Sequence, residues 1–258
     1  MVQVYTSTHS YPYSLPAVTL AYFLRYPNPY SLHVTSTDTI SRRFDPSTQR
    51  LFTTRLHVKK SRLPSAVVRL LGKGAVGAAD DGSTQSFVLE TTCVDVREGW
   101  MEAESRNLDW RGVLSVVEQG RYERPANTMA GASAEEAASL AAKDEKTMVS
   151  VSVTLKSHIG EQLRKRRARW GEQASEMVGA VSSSGSSGDE EPAPRKGWFT
   201  AWSSGAIRTA IEKISLQRTE RSQPKAQQGM MVVLERLRKG GLVGVLEGMR
   251  LDREFHPV

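Results

Sequence analysis

The chain has 258 residues, 39% of them hydrophobic, with a formal net charge of +7 and a pI near 9.6, enough to bury one substantial core or two small ones. That charge points to an anionic partner (nucleic acid, acidic lipid or acidic protein) without choosing among them. The single cysteine, Cys93, excludes an internal disulfide and any multi-cysteine metal site, and no apolar run approaches the ~20 residues of a membrane-spanning helix, so the chain reads as soluble or peripheral.

In chain order, residues 2–10 alternate Val2, Val4 and Thr6 with polar neighbours and predict a strand rather than a targeting peptide, there being no basic residue before Arg25. Ser14 and Pro16 open a helix carrying Ala17, Val18, Ala21, Tyr22 and Leu24, which Pro27 and Pro29 stop near Arg25. Residues 33–44 are β-branched and extended, 45–48 form a turn, and 51–59 predict an antiparallel partner strand with Arg55, His57 and Lys59 on one face. From 61 to 81 an apolar, glycine-rich loop holds Leu63, Pro64, Val67, Val68, Leu70, Leu71, Gly72, Gly74 and Gly77. Its glycines spell a formal G-x-G-x-x-G, but they lie within a run of strands and lack the βαβ setting that a dinucleotide site needs.

Residues 85–95 alternate Phe87, Leu89, Thr91 and Cys93; residues 100–108, 113–122 and 147–157 supply further strands. The count is about seven, an antiparallel meander and not an alternating α/β fold. Residues 162–170 are the most basic stretch and 182–194 a Ser/Gly/Glu/Pro linker, together an insertion at about 158–197 in one domain spanning 1–250, with a tail at 251–258. The basic stretch is a solvated helix face, a lipid-headgroup surface or a nucleic-acid contact. Trp198, Phe199, Trp202, Ile207, Ile211 and Ile214, then Met230, Met231, Val233, Leu234 and Leu237, recur at helical spacing. They predict a long helix, bent at Pro224, that lays an apolar stripe on the concave face of the sheet.

Chemistry is sparse. The five histidines show no metal-ligand spacing, no nucleophile elbow stands outside the Ser/Gly run, and no acid pair sits on a catalytic scaffold, so neither a metal, a cofactor nor an enzyme is expected.

Ser7-Thr8-His9, Arg25-Tyr26-Pro27-Asn28-Pro29-Tyr30-Ser31, His33-Val34, Asp38-Thr39-Ile40-Ser41-Arg42 and Thr53-Thr54-Arg55-Leu56 resemble the PRELI-type lipid-transfer proteins of the mitochondrial intermembrane space. Within that family the chain looks most like fungal members that carry phosphatidic acid. The resemblance implies an α+β fold: a curved antiparallel sheet of about seven strands, a short N-terminal helix and a long C-terminal helix, enclosing a lipid cavity. It implies phosphatidic acid as cargo for cardiolipin synthesis, with a headgroup site at Arg25, His33, Lys59, Arg62, Arg218 and Lys225, and the 63–79 loop as a lid. It implies a small helical twin-cysteine partner forming a heterodimer, and peripheral contact with anionic membranes. Phosphatidylserine on the same fold is the alternative cargo, and a basic nucleic-acid or protein-binding module without lipid the alternative class.

Overall fold

The computed structural model describes residues 2–62, 83–112, 114–125, 146–158 and 204–255. The elements are β1 (Val2–Tyr11), α1 (Leu15–Phe23), β2 (Val34–Asp45), β3 (Arg50–Arg62), β4 (Ser83–Asp95), β5 (Trp100–Asn107), β6 (Leu114–Glu123), β7 (Thr147–Ser157) and α2 (Ser204–Phe255). The 63–79 lid loop and the greater part of the 158–197 insertion, with Trp198, Phe199 and Trp202, lie outside the described residues, as do the side chains of Ile207 and Ile211.

All seven strands form one antiparallel sheet in the order β1-β7-β6-β5-β4-β3-β2. From β2 to β7 each strand pairs with its successor, as short connections favour, and β1 returns to pair with β7, which leaves β1 and β2 at the two edges. The β2–β3 and β4–β5 hairpins turn alike: Asp45 accepts the Ser47 amide and Asp95 the Glu98 amide, and each turn ends on a positive φ, at Gln49 and at Gly99.

Alternation assigns the inner face. On β7, Val149, Val151, Val153 and Leu155 are buried, and they meet Met101 and Ala103 of β5, Val18 and Ala21 of α1, and Met230, Val233 and Leu234 of α2 in one core. This is the packing the apolar stripe predicts for 230–237. Its earlier part differs, because Ile214 is 38% exposed.

The predicted bend also differs. Helical backbone runs through Pro224, and the break falls at Gly241, with φ 58° and ψ −153°. Beyond it the chain folds back: Arg236 donates to Asp252 at 2.7 and 3.0 Å, although sixteen residues of straight helix would hold them ~24 Å apart. A Cβ on Gly248 would lie 2.5 Å from the Arg236 side chain, so glycine there lets the two segments meet. The result is a helical hairpin with Val245 fully buried.

Candidate functional site: a buried ion cluster beneath the proline corner

The corner after α1 is held by its own side chain. Asn28 Nδ2 donates to the Arg25 carbonyl at 2.6 Å, its Oδ1 accepts the Tyr30 amide at 2.9 Å, and the Ser31 amide returns to the Asn28 carbonyl. Asn28 is 2% exposed and lies against Gly229 of α2, where a Cβ would come 2.6 Å from its Oδ1. The corner is thereby docked on the long helix.

Beneath the corner the sheet interior is polar. Glu90 of β4 is fully buried and stands opposite Arg55 of β3 in register. Arg55 donates both Nε, at 2.8 Å, and Nη2 to Glu90 Oε1, and its Nη1 donates to the Phe23 carbonyl at 2.9 Å. Glu90 Oε2 accepts the Tyr22 hydroxyl at 2.8 Å and Arg25 Nη2. Arg25 lies between two rings, its Cζ 3.7 Å from the Tyr22 centroid and 4.8 Å from that of Tyr26. His57 bonds Thr37 Oγ1 through Nδ1 at 2.9 Å; its Nε2 is 3.3 Å from Glu90 Oε2 but not aligned for a hydrogen bond.

Burial pushes the Glu90 carboxyl up, but the Arg25 guanidinium and that of Arg55 outweigh it and hold it well below the usual carboxylate range. Burial lowers the His57 pKa and outweighs the opposing pull of Glu90, so the ring is neutral at pH 7. Two guanidinium groups and one carboxylate therefore leave this buried cluster with one net positive charge. Only part of it reaches solvent, because the Arg25 side chain is 17% exposed and those of Arg55 and Glu90 are 4% and 0%.

Of the residues assigned to a headgroup site by resemblance, Arg25 belongs to this cluster. His33 and Lys59 are brought together beside it: Lys59 pairs with Val34, and Lys60 donates its amide to the His33 carbonyl at 2.8 Å. Lys59 stands one same-face step beyond His57 on β3, ~7 Å along the strand. His33 is exposed by area yet crowded by its surroundings, and that crowding, then the Lys59 ammonium, lowers its pKa. Arg218 and Lys225 occupy exposed positions on α2, and the Arg62 side chain lies outside the described residues.

The sequence reading takes Phe87, Leu89, Thr91 and Cys93 as the alternating set of β4, yet the buried positions are the even ones, Glu90 and Thr92, with Phe87 36% exposed. It therefore misses Glu90 and Tyr22 as site residues. The available signal was Arg55 and His57 on one face of β3, which calls for an acid on the neighbouring strand. Further along the interior, Gln227 of α2 meets His9 Nδ1 at 3.1 Å and Gln223 donates to Glu118 at 3.1 Å. The space between helix and sheet is thus polar near 223–227 and apolar from Met230 onward.

These features define an α+β chain of one open, curved antiparallel sheet with two helices laid over its inner face and a net-positive buried cluster under one end. The PRELI-like family matches residues 16–169, more than half of the sequence, and the chain belongs to that family. It is 39% identical over 123 residues to Protein UPS1, mitochondrial, of Saccharomyces cerevisiae, covering 48% of this chain and 65% of that one. It is 38% identical over 105 residues to the ups1 homolog of Schizosaccharomyces pombe, covering 41% and 55% respectively. The chain thus spans less than two thirds of the length of these relatives. A solved structure, that of Ara h 8.0201, aligns over 91% of this chain and 99% of its own at 11% identity and a TM-score of 0.41, too low to carry an argument.

Proposed function

We propose that the protein is a lipid carrier, not an enzyme, moving phosphatidic acid between the outer and inner mitochondrial membranes across the intermembrane space in support of cardiolipin synthesis. The observation that carries this reading is the net-positive buried cluster of Arg25, Arg55 and Glu90, set on the sheet face that α2 covers, in a PRELI-like chain.

A carrier must meet two demands. Each methylene taken from water gains ~0.8 kcal/mol, so lifting a lipid from a bilayer is nearly neutral only if the protein interior is comparably apolar. The valines of β7 and the Met230-to-Leu234 stretch of α2 pack into one apolar core, and in this proposal acyl chains enter where that helix face parts from the sheet. The headgroup sets specificity, and a phosphate monoester calls for converging cations in a partly desolvated place. In this proposal Arg25, Lys59, Arg62, Arg218 and Lys225 supply the cations, the neutral ring of His33 adds a hydrogen-bonding group, and the 63–79 loop is the lid.

In this proposal the small helical twin-cysteine partner docks on the outer flank of the C-terminal hairpin. There Leu242, Val243 and Leu246 are 50%, 72% and 56% exposed, beside a groove of about 480 Å3 that includes Met231, Val232 and Lys239.

Mass spectrometry of lipid retained by the full chain, co-expressed with the partner in bacteria, tests the proposal. Phosphatidic acid enriched over its share of host lipid is the expected result. Protein purified without any phospholipid contradicts the carrier reading, and enrichment of phosphatidylserine instead contradicts the cargo.

A further inference from the structure

Glu90 is too costly a residue to leave unexplained: a fully buried carboxylate facing two guanidinium groups where an apolar pair would pack as well. Its own position is fixed, since Arg55 grips Oε1 with two nitrogens and the Tyr22 hydroxyl binds Oε2. Arg25 is differently placed. One of its nitrogens, Nη2, is spent on Glu90, its Nε–H is buried with no partner, and it retains more exposure than any other charged member of the cluster. The Arg25 Cζ lies 3.7 Å from the Tyr22 ring centroid and 4.8 Å from that of Tyr26, contacts with ring faces that select no N–H direction. The bond from Nη2 to Glu90 Oε2 does select one.

We infer that Glu90 is a positioning residue. By binding one edge of Arg25, it fixes the direction in which the remaining N–H donors meet a phosphate oxygen, and it thereby sets the preference for a phosphate monoester over larger zwitterionic headgroups. The inference rests on the lipid-carrier reading and on Arg25 as a headgroup contact. A guanidinium forms its strong paired bonds only when its edge is aligned with the acceptor. Glu90 therefore acts by orientation, while the net charge of the cluster supplies attraction without direction.

Two variants separate orientation from charge balance. Glu90→Asp keeps the charge and withdraws the carboxylate by one methylene; Glu90→Gln/Arg55→Gln removes a cation and an anion together and keeps the cluster at one net positive charge. The full chain with its partner is assayed for transfer of fluorescent phosphatidic acid and phosphatidylcholine between vesicles, with the melting temperature recorded alongside. Both variants are expected to fold and to lose about tenfold of the wild-type preference for phosphatidic acid, the scale of one charge-assisted hydrogen bond. Arg25→Gln is expected to match them. Either folded variant keeping the wild-type preference while Arg25→Gln loses it overturns the role of Glu90 alone. Failure of both to fold overturns it too, since Glu90 is then needed for the fold itself. Wild-type protein that transfers neither lipid defeats the carrier reading on which the inference stands.

Discussion

Gly229 has no side chain because Asn28 fills the space one would need. A Cβ at that position would stand 2.6 Å from Oδ1 and 2.9 Å from Cγ and Nδ2 of a residue that is itself pinned by two backbone hydrogen bonds. Gly229→Ala therefore pushes the proline corner off α2 and is expected to cost about 1–3 kcal/mol, read as a lower urea midpoint at unchanged slope. An unaltered midpoint would mean that the corner and helix are not in contact. Lys59 makes the complementary prediction. It is half-buried at one end of β3 beside His33, so reversing its charge places a carboxylate next to the proposed phosphate where water screens poorly. Lys59→Glu should abolish phosphatidic-acid transfer and leave the circular dichroism spectrum unchanged; transfer at the wild-type rate would remove Lys59 from the site.

Among the elements, the strands were the most legible part of the sequence. Periods of two bounded by turn residues predict β7 at 147–157, the range found, and place β1 and β3 to β6 within a few residues of their ends. Two features were not legible, each for a physical reason. The inner face of β4 could not be read from hydropathy, because across β3 and β4 the interior is stabilised by ion pairing and not by apolar burial, so Glu90 faces inward between outward-facing Leu89 and Thr91. The helix break is predicted at Pro224, where proline removes an amide donor, but the helix runs through that residue and breaks at Gly241, where the Arg236–Asp252 pair and the fit of Gly248 hold the folded-back segment. The headgroup residues were legible only through resemblance, and the cluster that holds Arg25 appears only when distant strands are brought into register. The proposed lid is tested by deleting residues 63–79, which should stop lipid exchange and leave flotation with anionic vesicles intact, because docking depends on cations worth ~1 kcal/mol each near the surface. Loss of flotation as well, or exchange at the normal rate, would contradict the gate.

Across the whole molecule, the buried titratable groups fix the direction of pH dependence. His9, His33 and His57 all have folded pKa values below the ordinary imidazole range, burial being the first cause in each. The unfolded chain therefore binds more protons than the folded one as pH falls below about 6.5, and stability falls with it. Glu90, depressed in the folded state, adds stability that is present above the carboxylate range and lost as pH falls below about 4. Both effects have the same sign but different windows: the histidines lower the urea midpoint as pH falls through about 6.5, Glu90 adds a further loss below about pH 4, and His57→Gln should flatten part of the first decline. A midpoint that rises on acidification would contradict imidazoles whose surroundings hold them neutral.

The central claim, that a PRELI-like sheet with a net-positive cluster under its proline corner carries an anionic phospholipid, is tested most directly by transfer between vesicles. Donor vesicles hold quenched fluorescent phosphatidic acid, phosphatidylserine or phosphatidylcholine, acceptor vesicles hold none, and the full chain with its partner is added. Transfer of phosphatidic acid is expected well ahead of both other lipids and is expected to be abolished by Lys59→Glu. Equal transfer of all three would contradict the headgroup site, and no transfer of any would contradict the function.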